Sequence, residues 1–268
     1  MDARELAFLY DLYVVPGWRE VFDRIIDEEV KVPSEGKILD AGCGTGGFTI
    51  DLALLAGNKS EVVGLDPDSE RLNLARAKAE IKKTTSLKFV SGELFPLQFS
   101  DGEFDFVIAD ATLLHPGQVP QFMQELTRVA RKGATVVLKI STRGTFDEFY
   151  SIYWEALYNL GLTELSPKLE ELITERYTLS EIEQIAIDAG LKHIHVISRN
   201  ERLNFDDAAS FFDSPMIQTL FLSDWLKLID TTSNRQKVQS EMADIIDKSR
   251  NGLNFDLSIK ATLIVARK

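Results

Sequence analysis

With 268 residues, 44% of them hydrophobic, the chain is long enough to bury a sizeable core, which excludes a disordered polymer. Its formal net charge of -12 repels phosphate backbones and sets nucleic acid aside as a partner. The lone cysteine, Cys43, excludes an internal disulfide and a cysteine-built metal cage, and fits a reducing compartment.

The N-terminus, MDARELAFLYDLY, puts Asp2, Arg4 and Glu5 where a signal peptide needs an apolar run, and no later apolar stretch approaches membrane-spanning length. The expectation is a soluble, cytoplasmic protein with no membrane insertion. Residues 1–36 read as N-terminal helices. From Lys37 to Ile140 short β-branched runs alternate with helical patterns, as in right-handed βαβ units of a parallel sheet. Strands are expected over Lys37–Ala41, Glu61–Leu65, Leu87–Ser91, Phe104–Ala109 and Ala134–Ile140. The segment PDSERLNLARAKAEIKK offers Pro67 and Asp68 as first-turn residues and repeats Leu72, Ala75 and Ala79 on one face. PQFMQELTRVARKG puts Phe122, Leu126 and Val129 on one stripe, and Gly133 is suited to a left-handed helix cap. After Arg143, the residues Phe146, Phe149, Tyr150, Tyr153, Trp154 and Tyr158 form an aromatic stripe at helical spacing. KHIHVISR and DLSIKATLIVARK read as two further strands. The stretch from Arg199 to Phe255 between them is helical in spacing and carries Phe205, Phe211, Phe212, Phe221 and Trp225. With no linker or repeat in sight, the whole chain reads as a single domain, with 37–142 as its binding core and 143–177 and 200–255 as helical cap insertions.

The stretch ILDAGCGTGG, at 38–47, ends a strand in a glycine turn, where the backbone can bend sharply and approach a ligand. Gly42, Gly44 and Gly47 fit the dinucleotide spacing GxGxxG, with Asp66 at the distance where a ribose-binding acid is expected. An NAD-dependent oxidoreductase is therefore the literal reading of the motif. Charge favours another ligand: Asp40, immediately before the turn, repels a pyrophosphate and attracts a cationic group. S-adenosylmethionine (SAM), with an amino group and a sulfonium, meets that requirement.

These residues resemble the class I SAM-dependent methyltransferases, in particular the small-molecule group that includes the ubiquinone/menaquinone-biosynthesis and malonyl-carrier-protein enzymes. LDAGCGTG resembles the family's first motif, VVGLDPD its second, SGELFPLQFSDGEFDFVIA its third and fourth, and LTRVARKGATVVL its fifth. The resemblance implies an α/β, Rossmann-like fold: a seven-stranded, mostly parallel sheet with helices on both faces and an antiparallel last strand, here with a helical cap. It also implies that Asp66 takes the ribose hydroxyls from beside Pro67, that Glu93 accepts from the adenine amine while the Leu94 amide meets the ring, and that Asp110 contacts the methionine end. Gly42, Gly44 and Gly46 line the turn. Tyr10 and Tyr13 are candidates to cover the cofactor, with helix packing as the competing reading.

Methyl transfer from a sulfonium mainly requires alignment and exclusion of water, so no catalytic triad is needed. A base helps when the acceptor is a hydroxyl or weak carbon acid, and His115, just past the fourth strand, is the candidate; as a bland alternative it caps loop backbone. His193 and His195 share a strand face with no third ligand nearby, so no metal is expected. Cys43 reads as a small residue that fits the turn rather than a nucleophile. The aromatics of the two insertions either roof a small-molecule acceptor pocket or form only the core of a cap. A non-catalytic SAM-binding subunit is the remaining alternative, and neither the acceptor nor the oligomeric state follows from the sequence.

Overall fold

The computed structural model describes residues 2–248 and 255–268; Met1, at the start of the expected N-terminal helices, and 249–254, at the end of the expected second insertion, lie outside the described residues. Helix α1 (Ala3–Leu9) opens on a capping box between Asp2 and Glu5. It runs into a π-helical segment, Tyr10–Arg19, and then α2 (Glu20–Glu29), which buries Val21, Phe22, Ile25 and Ile26 on one face. Next come β1 (Gly36–Ala41), α3 (Gly47–Ala56), β2 (Ser60–Asp66), α4 (Ser69–Lys82), β3 (Leu87–Ser91), β4 (Phe104–Asp110), α5 (Val119–Val129) and β5 (Ala130–Ser141). The later elements include α6 (Asp147–Asn159), α7 (Ser166–Thr174), α8 (Leu179–Asp188), β6 (Lys192–Phe205), short helical turns from Ala208 to Leu228, a long helix Thr232–Lys248 and β7 (Phe255–Arg267).

The seven strands form one sheet in the order β3-β2-β1-β4-β5-β7-β6. Strands β1 to β5 pair in parallel; the apolar runs of β1, β2, β4 and β5 are buried, while β3, at the edge of the sheet, has no buried residue. β7 runs antiparallel to β5: the Gly133 amide donates to the Lys268 carbonyl at 2.8 Å and the Lys268 amide to the Ala134 carbonyl at 3.1 Å. The sheet is therefore the mostly parallel one expected. Its order reverses between β1 and β4, the switch point beyond whose carboxyl ends open α/β sheets bind ligands.

Three boundaries differ by four or more residues from the sequence reading. Helix α5 ends at Val129 rather than Gly133, and β5 begins at Ala130 rather than Ala134, because Ala130 is already extended and pairs with Phe104. The next pair is Phe106 with Thr135, so residues 131–134 bulge out of the ladder, and Gly133 uses its φ of 83° in that bulge instead of a helix cap. Strand β6 continues past Arg199 to Phe205, and the helical part of the second insertion begins only at Ala208.

By its packing the chain divides into two compact units. The first comprises Met1–Ile140, Thr178–Ser198 and Ala261–Lys268, and the second Ser141–Tyr177 and Arg199–Lys260. The second unit has an aromatic core of its own. Trp225 stacks on Phe149 at 4.1 Å between ring centroids and on Phe221 at 5.4 Å, while Phe146 and Phe211 pack around it. Phe146, Phe149, Tyr150 and Tyr153 are buried, whereas Trp154 and Tyr158 are 41% and 72% exposed, so the six-residue stripe divides between two faces of α6. The buried rings fill one another's space, which makes them the core of the second unit.

Candidate functional site

Three aspartates stand at the carboxyl ends of adjacent strands: Asp40 on β1, Asp66 on β2 and Asp110 on β4. The glycine turn lies among them. Gly42, Gly44 and Gly46 all have positive φ, and the Gly42 and Cys43 amides donate to the Leu65 carbonyl at 2.7 and 2.9 Å. A Cβ on Gly46 would lie 2.6 Å from Ala75 and Phe89, whereas one on Gly47 would meet nothing, so Gly46 rather than Gly47 provides the close helix-sheet contact.

Asp66 is buried and holds the turn directly. Its Oδ2 accepts from the Gly44 amide at 2.8 Å and its Oδ1 from the Asp68 amide at 2.9 Å. The cap of α4 is Asp68, which accepts from the Glu70 and Arg71 amides, so capping is not the role of Asp66. Asp40 is fully buried; its Oδ2 accepts from the Thr49 hydroxyl at 2.7 Å, while Oδ1 has no hydrogen-bond partner among the described residues. Burial pushes the Asp40 carboxyl up, and Lys139, Thr49 and Arg19 only partly counter it.

Asp110 anchors an ionic cluster that the motifs do not announce. Its Oδ1 accepts from the Thr112 amide and hydroxyl at 2.9 and 2.6 Å, and its Oδ2 lies 2.9 Å from Arg19 Nη2 and 3.4 Å from Lys139 Nζ. Burial opposes the Asp110 charge, but these partners outweigh it and hold the carboxyl below its usual range. Lys139, fully buried on β5, bonds Asp23 of α2 at 2.8 Å and faces the Phe48 ring at 4.7 Å. Burial likewise opposes its ammonium, and Asp23, Asp110 and Asp40 overcome that to hold it above the usual lysine range. The Trp18 indole donates to Thr112, tying the N-terminal segment to the same cluster.

The remaining candidates lie around this centre. Glu93 is exposed and Leu94 half-buried in the loop after β3. That loop is held from α5 by Arg128, which donates to the Leu97 and Phe99 carbonyls at 2.8 Å, and by Glu125, which accepts from the Leu97 amide. Pro67 is exposed, Tyr13 is 40% exposed, and Tyr10 is buried against the glycine turn. Exposed His115 uses Nδ1 to accept from the Gly117 amide at 3.2 Å, which places the proton of its neutral form on Nε2. His193 and His195 are exposed, and among the described residues no group of three potential ligands could hold a metal ion. Burial raises the Cys43 thiol well above its normal value, with Asp40 and Asp66 adding to the effect, so it is poorly suited to be a nucleophile.

A family model for the methyltransferase domain matches residues 33–175. Demethylmenaquinone methyltransferase from Bacillus cereus is 30% identical over 189 residues, 67% of this chain and 78% of the relative. The chain belongs to the class I SAM-dependent methyltransferases. The corresponding enzyme of Shouchella clausii is 28% identical over 64% of this chain and 77% of its own. Among solved structures, the YcgJ protein of Bacillus subtilis superposes with a TM-score of 0.58 at 20% identity, covering 93% of this methyltransferase and 98% of that chain. A Haemonchus contortus phosphoethanolamine N-methyltransferase with S-adenosylhomocysteine gives 0.56 at 16% identity, covering 99% and 58%. The latter two likenesses concern the fold. No helix among the described residues of the methyltransferase is long and apolar enough to cross a membrane.

The site of the methyltransferase suits SAM on two observations: an unpartnered, buried carboxylate oxygen on Asp40, and three aspartates around the turn, which together favour a cationic ligand over a diphosphate. Sequence reasoning missed Arg19, Asp23 and Lys139. Lys139 did leave a signal, as the one charge within the apolar run TVVLKI; Arg19 and Asp23 sit among charged helical residues and left none.

Proposed function

We propose that this methyltransferase transfers a methyl group to a small organic acceptor of mainly apolar or aromatic, quinol-like character. Support for the acceptor comes from the demethylmenaquinone methyltransferases, whose likeness extends over about two thirds of the chain. The observation that carries the donor side is the convergence of Asp40, Asp66 and Asp110 on one glycine turn, with Asp40 Oδ1 unpartnered.

When bound, SAM supplies a methyl carbon made electrophilic by its sulfonium, open to in-line displacement. The chain's own residues have the tasks of binding and orientation. Gly42, Gly44 and Gly46 let the donor approach the backbone. Asp66 offers its remaining lone pairs to the ribose, beside Pro67. Glu93 and Leu94 take the adenine, and Asp40 and Asp110 favour the cationic methionine end, with Tyr13 beside it. His115 is the base for a hydroxyl acceptor. To take a proton at Nδ1 it must release the Gly117 amide, a bond whose net worth is about 0.5–1.5 kcal/mol. The net charge of -12 disfavours a nucleic-acid acceptor.

The test is transfer from labelled SAM to a panel containing a demethylated naphthoquinol, a catechol and phosphoethanolamine, read by mass. A gain of one methyl on the naphthoquinol is expected; transfer confined to the amine would defeat the acceptor assignment. His115→Ala should depress turnover far more than S-adenosylhomocysteine affinity, and full retained turnover would dismiss the base.

A further inference from the structure

The turn carries a cation that comes from outside the sheet. Arg19 ends the π-helical segment and is 6% exposed. Its Nη1 donates to the Tyr10 hydroxyl at 2.9 Å, its Nη2 donates to the Gly42 carbonyl at 2.7 Å, and Asp110 Oδ2 lies 2.9 Å from Nη2. A Cβ on Gly44 would sit 2.4 Å from Nη1, so the guanidinium rests directly on the turn.

Other cations nearby are committed elsewhere. Lys139 lies fully buried between Asp23 and Asp110, Arg71 stacks on the Tyr10 ring at 3.9 Å, and Lys78 bonds Asp11 at 2.7 Å. Arg19 has five N–H groups in a planar fork. Its bonds to Tyr10 and Gly42 and its contact with Asp110 leave Nε and a second Nη1 proton without a partner among the described residues.

SAM brings an α-carboxylate as well as its two cationic groups. Three aspartates at this edge repel that carboxylate unless a cation meets it. We propose that Arg19 receives the α-carboxylate of SAM, which makes the N-terminal segment part of the donor site. Asp110 and the Gly42 carbonyl hold one part of the guanidinium, and the protons left over form the receptor. Gly44 must lack a side chain for Arg19 to lie where the donor passes. This assignment rests on the SAM-dependent reading of the same turn.

Calorimetry on the full chain with S-adenosylhomocysteine and with its decarboxylated analogue, which keeps the amine, separates the two. Wild type should prefer the carboxylated ligand by about tenfold or more, the size of a charge-assisted pair. Arg19→Ala should weaken S-adenosylhomocysteine by about 10- to 100-fold, leave the analogue within about twofold, and so abolish the preference; Arg19→Lys should restore part of it. Equal weakening of both ligands, or tighter S-adenosylhomocysteine binding by Arg19→Ala, overturns the proposal, the second outcome meaning that Arg19 obstructs the site. If Arg19→Ala fails to fold, wild type decides alone, since equal affinity for the two ligands also overturns it. Failure of wild type to bind either ligand would instead refute the SAM reading itself.

Discussion

Asp66 joins β2, the glycine turn and the start of α4 through one carboxylate, and this makes its removal the most informative perturbation. Two bonds of a charged acceptor to backbone amides, at about 1.5–3 kcal/mol each, set an upper limit of roughly 3–6 kcal/mol for Asp66→Ala. Water reaching the freed amides returns part of this, so a loss of about 3 kcal/mol is expected. At about 2–4 °C per kcal/mol for a chain of this size, the melting temperature should fall by roughly 6–12 °C. Ligand binding gives a second, independent number. S-adenosylhomocysteine at 100 times the wild-type Kd stabilises wild type by about 2.7 kcal/mol. A variant with tenfold weaker binding gains only about 1.4 kcal/mol at that concentration. Asp66→Asn sharpens the test, because its amide must point N–H toward N–H at either Gly44 or Asp68. Thermal melts of both variants with and without ligand provide the readout. A lower melting temperature with an undiminished ligand shift would make Asp66 a purely structural residue. Unchanged melting as well would refute the argument from the hydrogen bonds.

Two further predictions concern the interior. Lys139→Met removes one of two buried cations facing Asp23, Asp40 and Asp110, and should cost about 3–5 kcal/mol in urea unfolding. Because the folded protein holds this ammonium above its usual range, the stabilisation is full below the unfolded value of about 10.4 and fades as pH rises beyond it. The gap between wild type and variant should therefore be flat from neutral pH to about 10 and narrow above it; a gap that widens there contradicts the sign. Trp225→Ala empties the centre of the second unit's aromatic core and should cost about 3–5 kcal/mol, and a loss below about 1 kcal/mol would mean that the stacked rings do not support that unit.

The elements whose signals are local could be read directly from the chain. The apolar runs marked β1, β2, β4 and β5, since buried strands need no polar alternation, and the bounds of the edge strand Leu87–Ser91 match those expected. Asp40, the glycines and Asp66 were legible because strand, turn and strand end lie within one short stretch of chain. What the local pattern misplaced is what distant partners decide. The end of α5 depends on Ala130 pairing with Phe104, and the length of β6 on its neighbour β7, where the Phe205 and Phe255 rings lie 6.5 Å apart.

The electrostatics of the site emerge only in the folded chain. Arg19 reaches Asp110 across 91 positions of sequence and Lys139 reaches Asp23 across 116, and no periodicity encodes such meetings. The assignment of the buried aromatics of the second unit to a core likewise needed the folded chain. A ring at helical spacing reads the same whether it lines a cavity or fills one, and the stacking of Trp225 on Phe149 settles which. Burial and pairing are properties of where side chains converge in space, whereas sequence patterns report only which face of its own element each side chain occupies.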